Sequence, residues 1–118
     1  MDVLISVWNK ESTIERAVRS ALCEPEVKRV IVIDDGSADD TFSVVSSLVA
    51  EAGDRILLHR LERNAGPSAA RNVGFELSKS SWVAILDGDD YFRPGRIRAP
   101  LEASDGVNFV ADDQTQIK

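Results

Sequence analysis

Residues that carry most redox and soft-metal chemistry are scarce in this sequence. Its 118 residues include one cysteine, Cys23, and one histidine, His59. A single cysteine cannot form an internal disulfide, so we expect a reducing cytoplasm and interpret Cys23 as a small, buried hydrophobic side chain. His59 falls in a predicted strand and is interpreted as structural, which argues against histidine-based catalysis and a histidine-rich metal site.

Long apolar runs and clustered positive charge are also lacking. No window approaches the roughly 18 consecutive apolar residues of a membrane-spanning helix. The apolar start is short and is interrupted by Asn9, Lys10 and Glu11, so no signal peptide is expected. The formal net charge is -6 and no basic stripe is visible, which argues against a nucleic-acid partner.

Five apolar segments have the character of strands. The second of them is a continuous apolar run, which is typical of a parallel strand covered on both faces. The third is more polar because it contains His59 and Arg60. The predicted strands span residues 3–8, 29–34, 56–61, 82–86 and 106–111.

Helical periodicity separates these strands. The first helix is predicted over residues 11–22, with Asn9 as its N-cap. Asp39 or Asp40 is expected to cap the second helix, because carboxylates accept hydrogen bonds from the free N–H groups of a first turn. Gly53 is expected to end that helix.

A third helix is predicted to begin at Pro67 and to place two small residues, Ala70 and Gly74, against the sheet. A short helix is expected after Arg93. The alternation of strands and helices predicts the α/β class, with a doubly wound, mostly parallel sheet and helices on both faces. We expect residues 1–118 to form a single domain.

The fourth strand leads directly into a cluster of acids. Asp87, Asp89 and Asp90 follow its apolar residues. Carboxylates this close repel one another unless some are protonated or a cation lies among them, and Mg²⁺ or Mn²⁺ with oxygen ligands is a natural neutraliser. A solvated acidic turn is the alternative, since Asp and Gly are ordinary turn residues.

Polar and aromatic side chains also follow the first two strands, and ligands of such sheets bind outside the carboxyl ends of the strands. Asp35 suits a hydrogen bond from a nucleobase or ribose, or the capping of a turn. Trp8 suits stacking on a base, although aromatic side chains more often pack in the core. Arg71 suits a pyrophosphate, or a surface ion pair with Glu76. Asp34 is interpreted as structural.

Four segments resemble the successive motifs of the family 2 glycosyltransferases. They are residues 6–10, 32–41, 64–74 and 86–90, and the resemblance extends from residue 3 to about residue 97. It implies the GT-A fold, whose Rossmann-like half would be this chain. It also implies an inverting transfer of sugar from a nucleotide-sugar donor, often a UDP-sugar, with Mn²⁺ or Mg²⁺ as cofactor.

The resemblance implies roles for individual residues. Trp8 would flank the base, where tyrosine is commoner, and Asp35 would bind the base. Asp87 and Asp89 form the D-x-D motif around Gly88, and Asp90 is a further candidate ligand. The implied nucleotide site comprises Trp8, Asp35, Arg71, Asp87 and Gly88, and the implied metal site comprises Asp89, Asp87 and Asp90.

The resemblance also implies partners and surroundings. Family members are usually longer, with their catalytic base and acceptor site in the second half, so residues 1–118 are expected to be the donor-binding portion without that acceptor half. We assign no catalytic residue and expect little or no transfer by this chain alone. The implied role is polysaccharide or cell-surface glycan synthesis on a glycan or lipid-linked acceptor. The implied location is the cytoplasm at the inner face of a membrane, with peripheral membrane association and homo-oligomer formation left open.

Three other classes of protein fit parts of the pattern. A receiver-type signalling domain is also a doubly wound domain with an Mg²⁺-binding acidic pocket. Its acidic pair follows the first strand, whereas the pair of this chain follows the second, and no lysine stands just after the predicted fifth strand here. A sugar nucleotidyltransferase would carry a glycine-rich loop after the first strand, where this chain has Trp8, Asn9, Lys10 and Glu11. An interaction domain would leave the acids facing solvent, without metal-dependent nucleotide binding.

Overall fold

A parallel sheet forms the centre of the computed structural model, which describes residues 1–80, 83–89 and 91. The strands lie in the spatial order β3-β2-β1-β4 and all neighbours pair in parallel. The strands are β1 (Asp2–Val7), β2 (Arg29–Asp34), β3 (Ile56–Arg60) and β4 (Val83–Asp87). The strand predicted at 106–111, the helix predicted after Arg93, and Trp82 and Asp90 lie outside the described residues.

Three helices connect these strands in the predicted order. They are α1 (Ile14–Leu22), α2 (Thr41–Ala52) and α3 (Pro67–Leu77), and a 3-10 turn (Gly53–Arg55) separates α2 from β3. None of the helices in the described part of the chain is long and apolar enough to cross a membrane.

The central strand β1 aligns the carboxyl ends of its two neighbours. Val7 of β1 is the register partner of Asp34 of β2, and Ser6 is the partner of Asp87 of β4. The three strands therefore end within about one residue of each other. The loops that follow them emerge side by side at one edge of the sheet.

Alternate residues of the strands pack on opposite faces of the sheet. Val3 and Ile5 belong to a buried cluster with α1 and α2, whereas Leu4 belongs to a second cluster with α3. Because buried apolar side chains point both ways, the strands read as continuous hydrophobic runs rather than alternating ones. The predicted α/β class with helices on both faces is confirmed.

The predicted start of α1 is wrong. The helix begins at Ile14, and Thr13 rather than Asn9 occupies the N-cap position. Asn9 has a left-handed backbone with φ 52°, a conformation that asparagine tolerates better than most residues. Its side-chain oxygen accepts a hydrogen bond from the N–H of Ala38 at 2.8 Å. A bond to another loop thus replaces the local cap.

The predictions for the other helix ends are mostly confirmed. Asp40 is the N-cap residue of α2 without a side-chain capping bond, and Asp39 instead accepts from the N–H of Thr41 at 2.9 Å. Gly53 ends α2 with φ 65°, and Pro67 begins α3.

The interpretation of Cys23 as buried is wrong. Cys23 occupies the C-cap position of α1 and is exposed. The preceding residue of the apolar stripe, Ala21, is fully buried. Cys23 lies beyond the last turn that this stripe holds against the sheet, which accounts for its exposure.

Close packing of α3 depends on its small residues, as predicted. Ala70 and Gly74 are its buried residues. A Cβ atom on Gly74 would overlap the side chain of Leu4, whose Cγ would lie only 3.0 Å away. Leu4 is itself fully buried in β1, so it has little room to move. The approach of α3 to the central strand therefore requires glycine at this position.

We expect Gly74→Ala to destabilise the protein. Overpacking of a core costs about 1–3 kcal/mol, and the helix preference for alanine offsets about 1 kcal/mol of that. The free energy of unfolding from urea denaturation should therefore fall by about 1 kcal/mol, the middle of the net range. Asn72→Ala, on the exposed side of the same helix, is the control and should leave stability unchanged or slightly higher. A Gly74→Ala protein as stable as that control would contradict this packing argument.

Candidate active site

A cleft of about 270 Å³ opens where the aligned strands end. It contains five of the predicted site residues, contributed by the ends of β1, β2 and β4. Two others are not among its lining residues: Arg71 lies on α3, and Asp90 is outside the described part of the chain. The cleft is lined by Ser6, Val7, Trp8, Lys10, Asp35, Pro67, Asp87, Gly88 and Asp89.

Trp8 is an aromatic surface at this cleft. It directly follows β1, and 49% of its surface is exposed. The alternative that Trp8 packs in the core is therefore wrong. An exposed indole beside a cleft offers a flat face for stacking and a large apolar area for a planar ligand to cover.

Asp35 is a buried carboxylate that fixes a loop. It is 3% exposed, and its two carboxylate oxygens accept hydrogen bonds from the N–H groups of Ala65 at 2.7 Å and Gly66 at 3.0 Å. These two bonds offset the cost of burying the charge. They attach the end of β2 to the loop before α3. Each carboxylate oxygen retains a lone pair for a further donor.

Asp34 is structural, as predicted. It is fully buried, and its Oδ1 accepts a hydrogen bond from the N–H of Ser37 at 2.9 Å. Its Oδ2 has no hydrogen-bond partner among the described residues, but it lies 3.9 Å from Nε of Arg60. The side chain is therefore committed to the turn after β2 and to the neighbouring strand.

Asp87 and Asp89 extend from the end of β4 into the cleft, on either side of Gly88. Gly88 is buried against β1, and a Cβ atom there would lie 2.5 Å from Cγ2 of Val7. Only glycine allows the turn to approach β1 this closely. The residue between Asp87 and Asp89 thus has a steric reason to be glycine.

Lys10 is a site residue that the sequence analysis missed. Its Nζ lies 3.6 Å from Oδ2 of Asp89, and both side chains are about half exposed. The pair is screened by solvent and contributes little to stability. The pair nevertheless places a positive charge beside Asp89, one of the crowded acids. Its position in the sequence could have indicated Lys10 as a site residue, because it lies two residues after Trp8 in a loop at the carboxyl edge of the sheet.

Hydrogen bonds connect the loop after β1 with the loop after β2. The bonds join Asn9 N–H to Ser37 Oγ at 2.9 Å, Lys10 N–H to Thr41 Oγ1 at 2.9 Å, and Asp40 N–H to Glu11 Oε1 at 2.9 Å. Burial raises the pKa of Asp39, but the hydrogen bonds that its carboxylate accepts from Thr41 and from the N–H of Glu11 lower that pKa overall. Asp39 is therefore ionised at neutral pH. The loops are thus connected before any ligand binds.

Arg71 remains apart from the cleft lining. It lies one turn into α3 and is partly buried. Its Nε is buried without a hydrogen-bond partner among the described residues. No ion pair joins it to Glu76 within that part of the chain. The alternative of an ion pair with Glu76 is therefore not realised in the described part of the chain, and a nucleotide contact of Arg71 stays a prediction.

The carboxylates at the end of β4 have the right chemistry for a hard divalent cation. Within residues 1–80, 83–89 and 91, no three acid, histidine or cysteine side chains are close enough to hold a metal ion by themselves. Mg²⁺, however, is usually held by one or two carboxylates together with water and substrate phosphates. Asp87 and Asp89 fit that pattern, since two protein carboxylates line one open cleft.

Comparison with known proteins decides the family. The profile described as Glycosyl transferase family 2 matches residues 2–113. The chain belongs to glycosyl transferase family 2. This membership confirms the resemblance and decides against the receiver-type domain and the sugar nucleotidyltransferase.

Relatives of this family 2 chain include two proteins of Rhizobium meliloti (strain 1021). The succinoglycan biosynthesis protein ExoU is 47% identical over 94% of the chain, and the succinoglycan biosynthesis protein ExoO is 40% identical over 93% of it. The matched region is 32% of the length of each of these relatives. The chain therefore spans about a third of the length of these relatives.

A solved structure shares the fold. The crystal structure of S. aureus TarS 1-349 in complex with UDP is 26% identical and has a TM-score of 0.76. The similarity covers 86% of this chain and 30% of TarS 1-349. The family 2 chain thus has the GT-A type of α/β fold that the sequence predicts.

We expect Asp35→Asn to lower the stability of the folded protein, because Asp35 holds the loop before α3. The substituted amide has one acceptor oxygen, so one of the N–H groups of Ala65 and Gly66 would face another donor. The loss of a hydrogen bond to a charged group costs about 1.5–3 kcal/mol, measurable as a lower urea midpoint. Asp40→Asn is the matched control, because Asp40 makes no side-chain capping bond and asparagine is an equally good N-cap. Equal unfolding midpoints for the two variants would contradict this role of Asp35.

Proposed function

We propose that this chain is the donor-binding portion of a glycosyltransferase that uses a nucleotide-sugar, specifically a UDP-sugar. One observation carries the proposal: a single cleft contains an exposed Trp8, the buried carboxylate of Asp35 and the paired carboxylates Asp87 and Asp89. These groups match the parts of a nucleotide diphosphate, namely a planar base, its N–H donor and a diphosphate accompanied by a cation.

The nucleoside would occupy the side of the cleft formed by β1 and β2. Trp8 stacks on the base, and Asp35 accepts a hydrogen bond from a base N–H such as that of uracil. Asp35 suits this role because backbone amides already hold its carboxylate in place. Arg71, which lies one turn into α3, is proposed to contact the nucleotide through its guanidinium.

The diphosphate would occupy the side formed by β1 and β4. Asp89 and Asp87, with Asp90 as a further ligand, are proposed to hold Mn²⁺ or Mg²⁺, and Asp87 and Gly88 are proposed to contact the nucleotide. When bound, the cation supplies Lewis-acid stabilisation of the charge on the leaving diphosphate. The acids would otherwise repel the diphosphate, because both carry negative charge.

The proposed reaction is a displacement at the anomeric carbon of the donor sugar. A hydroxyl oxygen of the acceptor forms the new bond to that carbon from the face opposite the diphosphate, so the configuration inverts. The bond between the anomeric carbon and the diphosphate oxygen breaks, and the nucleoside diphosphate leaves. The hydroxyl proton passes to a general base, for which we assign no residue. The contribution of this chain is to bind and orient the donor.

The wider role rests on relatives. Two relatives are named for succinoglycan biosynthesis, and a structure with the same fold was solved with UDP. We therefore propose polysaccharide or cell-surface glycan assembly, with a glycan or lipid-linked acceptor. We propose a cytoplasmic location at the inner face of the membrane, with peripheral membrane association. Homo-oligomer formation is a further part of the proposal.

Calorimetric titration of UDP into the protein, with and without Mn²⁺, tests the proposal. We expect binding that depends on Mn²⁺ and that Asp89→Ala weakens at least about tenfold. Asp54→Ala removes an exposed carboxylate before β3 and is the control, with affinity equal to the parent protein. If the folded parent protein fails to bind UDP in the presence of Mn²⁺, the proposal that this chain is the donor-binding portion is wrong.

We also expect Lys10→Met to raise the affinity for Mn²⁺ in the absence of nucleotide. The substitution removes a positive charge that lies 3.6 Å from the Asp89 carboxylate. Because the pair is half exposed, the effect should be modest, about two- to fivefold, and smaller at high salt. Electron paramagnetic resonance of free Mn²⁺ measures it. Lys28→Met, an exposed lysine just before β2, is the control, and equal affinities for both variants would contradict the expectation.

A further inference from the structure

Thr13 has an unusual role for a residue at the start of a helix. It occupies the N-cap position of α1, yet its side chain makes no capping bond. Its Oγ1 instead donates a hydrogen bond to the carbonyl oxygen of Gly88 at 3.0 Å. The only other acceptor recorded for this hydroxyl in the described part of the chain, the carbonyl of Lys10, lies at 3.5 Å. The single hydroxyl proton is thus directed to the spacer of the D-x-D motif.

The turn that carries both acids is held from two sides. Val7 of β1 packs against Gly88, so that no Cβ atom fits between them. The hydroxyl of Thr13 holds the carbonyl of the same residue. The held carbonyl belongs to the peptide unit between Gly88 and Asp89. A peptide unit fixed by packing and by a hydrogen bond has little freedom to rotate, and its rotation would redirect the side chain of Asp89.

Two weaker contacts come from the same part of the chain. Lys10 contacts Asp89 as described, and the guanidinium of Arg16 lies 4.4 Å from the ring centre of Tyr91. The loop before α1 and the first turn of that helix therefore support the whole described part of the acidic turn. Of these contacts, only the Thr13 bond is a directional hydrogen bond to the motif's own backbone.

We propose that Thr13 is a positioning residue of the donor site, and this inference rests on the proposed function. Its bond to Gly88 fixes the Gly88–Asp89 peptide, which sets the direction of Asp89 and so determines the affinity for a divalent cation with a diphosphate. Asp35 is held by the N–H groups of Ala65 and Gly66, and the backbone after Trp8 is held by the bond from Asn9 N–H to Ser37 Oγ, so the affinity for the nucleoside alone does not depend on Thr13. Loss of the bond should thus weaken binding of the diphosphate half of the ligand selectively.

Titration of UDP and of uridine, each with Mn²⁺, into three proteins tests the proposal. Thr13→Val removes the hydroxyl at nearly constant volume, and Thr13→Ser keeps the hydroxyl. For UDP we expect Thr13→Val to bind about five- to tenfold more weakly than the parent protein, with Thr13→Ser close to the parent. For uridine we expect equal affinity for all three. Ser12→Ala, which removes the neighbouring exposed hydroxyl, should match the parent with both ligands.

The outcomes separate this inference from the proposed function. If the parent binds UDP with Mn²⁺ and Thr13→Val binds it equally well, Thr13 is not a positioning residue, and the proposed function stands. If Thr13→Val weakens UDP and uridine by the same factor, the effect is a general one on the fold, and selective positioning is wrong. If the parent itself does not bind UDP with Mn²⁺, both the proposed function and this inference are wrong.

Discussion

The parallel pairing of β1 with both β2 and β4 is the constraint on which the candidate site depends. The pairing aligns Val7, Asp34 and Asp87 to within about one residue at the carboxyl edge. A slip of two residues would displace a loop by about 6.5 Å along the strand, which would separate the halves of the cleft. A slip of one residue would exchange the faces on which Leu4 and Ile5 are buried. Burial on both faces therefore fixes the register and, through it, the cleft.

The acids of the site fall into two groups according to what satisfies them. Asp34 and Asp35 are buried and receive hydrogen bonds from backbone N–H groups. Asp89 is half exposed, and the contact described for it is a long ion pair with Lys10. A buried, satisfied carboxylate stabilises the fold, whereas an exposed and weakly paired one remains available for a ligand. This division distinguishes Asp35, which lines the cleft but is already held by backbone amides, from Asp89, which lines the same cleft with only a weak partner.

Much of the fold follows from the sequence because its signals are local. Continuous apolar runs indicate the strands, and Gly53 and Pro67 mark helix ends through their own backbone preferences. The errors concern side chains whose partners are distant in sequence. Asn9 carries a capping signal but bonds Ala38 in another loop. Thr13 and Gly88 are 75 positions apart, so nothing in either segment indicates their contact. Trp8 was placed at the carboxyl edge of the sheet by its position after β1, and the family resemblance gave it a role beside a base.

The loop after β1 connects the two halves of the proposed donor site. It carries Trp8 on the nucleoside side, and its Lys10 and Thr13 contact the acidic turn on the diphosphate side. A cation bound at Asp89 would act on the Lys10 and Thr13 part of this loop, whereas the bond from Asn9 N–H to Ser37 Oγ ties the part next to Trp8 to the loop after β2. Binding free energies are reciprocal, so any factor by which the cation raises nucleotide affinity must equal the factor by which the nucleotide raises cation affinity. We expect this cooperativity to require the diphosphate, because that group, and not the nucleoside, would lie beside the cation.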